Sequence, residues 1–374
     1  MRILAIDMGT GTQDILLFDS SGPVENSVKL VMPSATSIAA GRIRRATEAR
    51  RPVLLTGTIQ GGGPCHWALD DHLRAGCTAY ATPEAARTFD DDLERVEAMG
   101  VRISGEDEAK GLDGVERIEL RDLDLGAIRK ALAAFDVSGT FDGLALGCLD
   151  HGDSPPDYSD RLFRFDHLRR VVEGENDLLA FAYLPEELPA YLTRARTMMA
   201  AADGDAPAVF LDTGPAAALG ALQDPRVAAA EEQLVLNLGN MHALAFHLRG
   251  PRIVSLYEHH TGEMSTEQIE DFTERLVART LRHEEVFDSK GHGVFYAPKS
   301  AHGADEGASS GAEPLLAVTG PQRGRLRGSR LDPYFATPHG DMMISGCFGL
   351  VLAFAARYPE RREEIEAALG VVNG

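Results

Sequence analysis

The residues best suited to chemistry stand near the start of the chain. In AIDMGTGTQDILLF (residues 5–18) an apolar run ends around Asp7, turns through Gly9-Thr10-Gly11-Thr12, and becomes apolar again after Gln13-Asp14. Glycine lacks the Cβ that keeps a ligand away from the backbone, and the two threonines add hydroxyl donors, a set suited to phosphate oxygens. Asp7, at the strand end, is placed to hold a hydrated Mg2+, which keeps most of its waters and needs only one or two carboxylates. By itself the turn is equally an ordinary glycine hairpin. A second segment, VLNLGNMHALAF (235–246), has the same grammar: an apolar strand, Asn237, Gly239, Asn240, then His242 and a further apolar strand. Two such hairpins suggest a duplicated fold whose halves clamp a polyphosphate between them. His242 alone reads more readily as a satisfied surface or core histidine than as a catalytic group.

Three further segments carry small residues or exposed backbone. In VFLDTGPAAALGAL (209–222) a strand ends at Asp212 and an almost bulk-free helix follows, with Pro215 near its start. MMISGCFGLVLAFAA (342–356) places Gly346 and Gly349 one turn apart on one helix face. These two helices can cross closely as a hinge, or be plain core helices of an Ala-rich chain. In PLLAVTGPQRGRL (314–326) a strand ends in Thr319-Gly320, whose open backbone suits a base or sugar, with Arg323 within reach.

The elements that must position these residues read as α/β. Strands are expected at 3–6, 15–18, 28–32, 53–55, 115–120, 144–146, 209–211, 234–238, 243–248, 253–257 and 315–318, and helices at 83–99, 125–134, 186–201, 266–282 and 342–357. The stretches 105–114 and 301–313 read as loops. With 374 residues, about two domains are expected. The polar segment ADGDAP (202–207) puts the boundary between an N-terminal lobe, 1–203, carrying an inserted α/β segment, and a C-terminal lobe, 204–374.

Taken in order, hairpin, small-residue helix, hairpin, strand with Thr-Gly turn, and small-residue helix resemble the actin-like ATPase superfamily of actin, the seventy-kilodalton heat-shock chaperones and the sugar kinases. The resemblance implies two ribonuclease-H-like lobes with a nucleotide cleft between them. It also implies ATP and Mg2+ as cofactors, and phosphotransfer to a small molecule or hydrolysis coupled to a partner protein. Carried over, Asp7 holds Mg2+ through water, and Gly9, Thr10, Gly11, Thr12, Asn237, Gly239, Asn240 and His242 cradle phosphates. Thr319, Gly320 and Arg323 border the nucleoside. Asp212 is the implied general base, as in sugar kinases with an Asp before a similar Ala-rich helix, with Asp14 and His242 in reserve. The chain departs from the pattern at Asn237, where an Asp is usual, and in lacking a Gly-Gly-Thr run in the second loop.

The whole chain also resembles the family labelled "putative pyruvate formate-lyase activating enzyme", on LTGTIQGGGPCHWAL (55–69), ATPEAARTFDDDLERVEAMG (81–100) and the first loop. That label implies an activation factor for a glycyl-radical enzyme. Cluster-bearing activases use CxxxCxxC, a spacing that Cys65, Cys77, Cys148 and Cys347 do not make. A non-hydrolysing anion- or metal-binding accessory protein is the other alternative.

The remaining features bound the function. A formal net charge of −20 disfavours nucleic acid and acidic membranes as partners. The cluster Arg42, Arg44, Arg45, Arg50 and Arg51 reads as a solvated helix face, and Arg323, Arg325, Arg327 and Arg330 form a second cluster. Few, scattered cysteines and no secretory h-region point to the cytoplasm. The apolar run 344–356 is shorter than the roughly 20 residues a membrane span needs. TGTIQGGGPCHW (56–67) and GCLDHGDSPP (147–156) are candidates for a second ligand. Cys65, His66, Cys148, Asp150, His151 and Asp153 offer metal-ligating types, or are simply loop residues, and His259-His260 reads as a strand-end pair.

Overall fold

Alternation along the strands decides what faces the cleft. The computed structural model describes residues 1–202, 204, 206–250, 252–298 and 313–370. The chain opens with β1 (Arg2–Met8), β2 (Thr12–Asp19) and β3 (Val28–Pro33), an antiparallel meander. Helix Ala35–Glu48, capped by Ser34, leads into an insert of four parallel strands, β4 (Val53–Gly57), β5 (Ala79–Ala81), β6 (Val101–Ile103) and β7 (Glu116–Leu120). The chain then returns with β8 (Gly143–Cys148), β9 (Ala182–Tyr183) and β10 (Ala208–Asp212) to complete a sheet ordered β3-β2-β1-β8-β10-β9.

The second half repeats this plan. Strands β11 (Glu232–Leu238), β12 (His242–Arg249), β13 (Arg252–His260), β14 (Gly293–Tyr296), β15 (Leu315–Thr319) and β16 (Tyr334–Phe335) form a sheet ordered β14-β13-β12-β11-β15-β16. In both sheets a three-strand meander is followed by two strands that add parallel, β8 and β10 beside β1, β15 and β16 beside β11. The duplicated fold expected from the sequence is therefore present as two ribonuclease-H-like lobes.

The main core lies between the two sheets and contains helices Thr213–Ala221 and Ser345–Arg357. On β1, Ile3 and Ala5 enter this core while Leu4, Ile6 and Met8 face a second one. On β11, Val235 enters it while Leu234, Leu236 and Leu238 point away. A side-chain period of two then puts Asp7 and Asn237 on the inter-lobe face, and the same parity on β2 and β15 does so for Thr12, Asp14 and Thr319. The two helices cross where they lack side chains. A Cβ on Gly220 would overlap the Ser345 carbonyl, and one on Gly349 the Ala216 carbonyl.

Several elements differ from the sequence reading. The sheets divide between β10 and β11, so Ala208–Asp212 belongs with the first lobe rather than beyond a boundary at 203/204; residue 203 itself lies outside the described residues. The helix expected at 83–99 is two short ones, Pro83–Ala86 and Leu93–Ala98, the second started by the Asp92 cap. That expected at 186–201 begins only at Thr193, after Pro189. Helix Asp160–Gly174 was not expected, because its buried face carries Arg164 and His167 beside Phe165, Leu168 and Val172. Of the loop expected at 301–313, residues 301–312 lie outside the described residues.

His167 gives a test of this packing. It is 3% exposed, with Nδ1 3.0 Å from the Tyr191 hydroxyl and its ring near Phe181 and Tyr183. Burial, with Arg164 and Arg170 nearby and Glu258 opposing them, pushes its pKa down to about 3. A folded value below the unfolded one, about 6.5, means that the unfolded chain binds the extra proton. This contribution is therefore intact above pH 6.5 and is lost as pH falls towards 3. Denaturant titrations between pH 6 and 4 should show His167→Gln losing stability less steeply than wild type, by up to about 1.4 kcal/mol per pH unit. Parallel slopes would refute the buried neutral imidazole.

Candidate functional site

The two hairpins meet tip to tip. The Gly9 N–H donates to the Thr12 carbonyl and the Gly239 N–H to the His242 carbonyl, both at 2.9 Å, so the turns have the same geometry. This corrects one expectation: these two amides close their turns, which leaves the tip residues as donors. A Cβ on Gly11 would overlap the Asn240 side chain, so the tips are in contact. Between them lies a cleft lined by Asp7, Gly9, Thr10, Thr12, Asp14, Asn237, Gly239, Asn240, Thr319 and Gly320. Its free space is about 80 Å3, against the roughly 300–1,000 Å3 of typical ligand pockets.

Asp7 and Asp14 are cross-strand partners on β1 and β2. Asp7 Oδ1 accepts from Thr213 Oγ1 at 2.7 Å, whereas Asp14 Oδ1 is buried with no hydrogen-bond partner. Burial first, and then the nearby Asp212 carboxylate, push the Asp7 pKa up to about 7 against the Thr213 hydrogen bond. Burial and the Asp7 charge push that of Asp14 up to about 8. Two helix N-termini also converge here. Thr213 begins one helix, and Gly346, in the first turn of the other, lies so near Asp7 that a Cβ would overlap its carboxylate. Their amide dipoles favour negative charge in the cleft.

The Thr319-Gly320 turn forms another wall of the cleft. Gly320 adopts φ +92°, and a Cβ there would overlap the Leu238 carbonyl, so only glycine lets this turn lie against the second hairpin. Its N–H approaches Met342 Sδ at 3.2 Å, and Thr319 Oγ1 lies 3.4 Å from Ser345 Oγ. Pro321, Met342, Met343 and Ser345 complete this wall. Thr213, Ser345 and Gly346 lay within segments already notable for small residues; Met342 and Met343 gave no signal beyond adjacency.

Three expected site residues are elsewhere. Asp212 caps helix Thr213–Ala221 through the Gly214 N–H, and Arg164 binds both its carboxylate oxygens. It does not line the cleft, and its oxygens are engaged, which removes it as a general base. Arg323 also lies outside the cleft, in the turn Arg323–Leu326. Its neighbours in the basic cluster are structural: Arg325 binds the Thr261 and Met264 carbonyls, and Arg330 pairs with Glu270 and Glu274. His242 does not line the cleft. Nδ1 lies 3.0 Å from Glu258 Oε1, and the ring joins those of His151, His260 and His292.

The other candidate segments are filled by the protein's own groups. The Gly61 N–H donates to Asp122 Oδ1, and Asp122 is paired with Arg194, so a carboxylate already occupies the anion position of 56–67. In 147–156, Asp150 accepts from the Gly152 and Ala195 N–H groups. Cys65 and Cys148 belong to different cores and form no metal group with His66 or Asp153 among the described residues. A cavity of about 260 Å3 lies between the insert and the first sheet, lined by Gln13 and Ile15. Those positions face away from Thr12 and Asp14, so the sheet separates this cavity from the cleft.

Strand order and cleft together define a two-lobed protein of the actin-like ATPase fold class. Residues 60–325 match the family described as "Putative pyruvate format-lyase activating enzyme (DUF1786)", and the chain belongs to that family. No functionally curated protein matches it. Among solved structures, the ROK hexokinase from Thermus thermophilus is similar at 14% identity and a TM-score of 0.24, over 68% of this chain and 48% of the hexokinase. The chain thus spans about half the length of that enzyme, and the fold assignment rests on strand order. Among the described residues no helix is long and apolar enough to cross a membrane.

Proposed function

We propose that the inter-lobe cleft binds a Mg2+–nucleoside triphosphate, ATP in the first instance, and that the lobes part to admit it. The observation that carries this reading is the pair Asp7 and Asp14. Asp7 is buried and Asp14 half-buried with one buried, orphaned oxygen; both line one cleft, and neither is in a salt bridge among the described residues. Buried charge of one sign calls for a cation. Asp7 and Asp14 would hold Mg2+ through its waters, and the ion would neutralise charge between the terminal phosphates. Thr10, Thr12 and Asn240 supply donors from the two hairpin tips, and the helix N-termini at Thr213 and Gly346 add favourable potential. Gly320, Pro321, Met342 and Met343 offer the nucleoside an apolar wall with open backbone.

Asn237 occupies in the second lobe the strand position that Asp7 holds in the first, so all the carboxylate for metal comes from one side. This supports binding more directly than rapid turnover. Phosphotransfer to a small molecule and hydrolysis coupled to a partner protein are the two activities in keeping with the cleft, and assays against metabolites and for free phosphate separate them. The activase chemistry of the family description finds less support. Cys65, Cys148 and Cys347 are buried in three separate cores, their thiols pushed up by desolvation.

Thermal unfolding tests the proposal. A hundredfold excess of Mg–ATP over its Kd is expected to add about 2.7 kcal/mol, and Asp7→Asn to abolish the shift while leaving the unliganded protein at least as stable. A wild-type midpoint indifferent to millimolar Mg–ATP, or an equal shift in Asp7→Asn, would overturn it.

A further inference from the structure

We propose that His151, His242, His260 and His292 bind one divalent first-row transition ion and thereby tie the second hairpin to the first lobe. One ligand nitrogen from each lies within 4.8 Å of all the others. His151 follows β8 in the first lobe. His242 starts β12, His260 ends β13 directly opposite it in register, and His292 precedes β14, its N–H held by the Glu258 carbonyl. His242 and His292 each lie 4.7–5.4 Å from the other three rings, tilted or edge-on instead of stacked.

On His242 and His260 the ring nitrogen facing outward is fixed in the manner of a metal ligand. His242 Nδ1 meets Glu258 Oε1 at 3.0 Å, and His260 Nδ1 meets the Lys290 carbonyl at 2.9 Å. Both acceptors require a proton on Nδ1, which leaves each Nε2 lone pair aimed into the cluster. His151 and His292 face each other Nε2 to Nε2 at 3.4 Å, and His292 Nδ1 is buried with no partner. Metal–nitrogen bonds of 2.0–2.1 Å in a tetrahedron put neighbouring nitrogens about 3.3–3.4 Å apart.

Charge balance points the same way. Behind His242, Glu258 and Asp212 share the guanidinium of Arg164, which leaves one net negative charge in the buried triad. A dication held by the imidazoles would supply the counter-charge. An all-imidazole set suits Zn2+, Co2+, Ni2+, Cu2+ or Fe2+ and not Mg2+. The ion would be distinct from any held by Asp7 and Asp14, and the inference does not rest on nucleotide binding. Because Asn240 is two residues from His242, a filled site would also fix the second hairpin tip.

Chelator-treated full-length protein titrated with Co2+ is expected to take up one equivalent, with the visible absorption of a four-nitrogen tetrahedral site that millimolar Mg2+ does not bleach and Zn2+ displaces. The apo protein should melt below the Zn2+-loaded form. His260→Gln should weaken uptake at least about 100-fold, more than loss of an outer partner would, whereas His247→Gln, paired with Glu232 away from the cluster, should leave it unchanged. Wild type taking up no more Co2+ than His260→Gln, a spectrum bleached by Mg2+, or equal loss in His247→Gln would overturn the proposal. The wild-type titration needs no variant to fold.

Discussion

Replacing Arg164 with methionine is expected to lower the unfolding free energy by about 3–5 kcal/mol, the usual cost of removing one partner from a buried ion pair. Arg164 has no solvent exposure. Its guanidinium binds Asp212 in the first lobe, with Nη2 2.9 Å from Oδ1, and Glu258 in the second, with Nε 3.2 Å from Oε2. Methionine would fill much of the volume but leave two carboxylates facing each other without a cation. The cost comes from those stranded charges, so neutralising them should recover much of it. Asn at 212 can still cap helix Thr213–Ala221, and Gln at 258 can still reach His242. Arg164→Met/Asp212→Asn/Glu258→Gln is therefore expected to be more stable than Arg164→Met alone. Denaturant unfolding at pH 7 with excess chelator decides this, and a triple variant no better than the single one would show that packing, not charge, makes Arg164 important.

The second large effect falls on the helix crossing. In an open helix, Gly→Ala stabilises by about 1 kcal/mol. At Gly220 and Gly349 the opposite sign is expected, a loss of about 3 kcal/mol each, because the added methyl meets the backbone of the other helix, which no rotamer change can move aside. Gly220→Ala and Gly349→Ala act on the same crossing. Once one has forced the helices apart, the other finds room, so the double variant should cost less than the two single losses added together. Additive losses, or a gain at either site, would refute the close crossing. If the proposed opening for Mg–ATP turns one lobe against the other about this contact, both variants should also weaken the Mg–ATP-dependent stabilisation.

Much of the fold was legible because it is written in short-range patterns. Apolar runs placed eleven of the strands, and the repeat of Asp7-x-Gly9 as Asn237-x-Gly239 announced the duplication before any contact was known. The short strands at 79–81, 101–103, 182–183, 293–296 and 334–335 were missed because two to four residues carry too little period. Helix Asp160–Gly174 was missed because an arginine and a histidine stand on its buried face, where pattern reading expects apolar residues.

The chemistry divides along the same line. Sequence alone determined the hairpin residues, whereas that Asp7 and Asn237 share the face turned to the other lobe followed only from the cores between which β1 and β11 divide their side chains. It also determined where helices could touch, since a glycine at 220 or 349 is a local fact. Tertiary structure decided the rest. Asp212 looked like a free carboxylate until Arg164, 48 residues away in sequence, took its oxygens. Histidines 151, 242, 260 and 292 carry no motif spacing, because their meeting depends on a strand register and a loop from the other lobe. Local sequence fixes which way a side chain points along its own element, whereas which charge or ligand waits there is set by long-range packing.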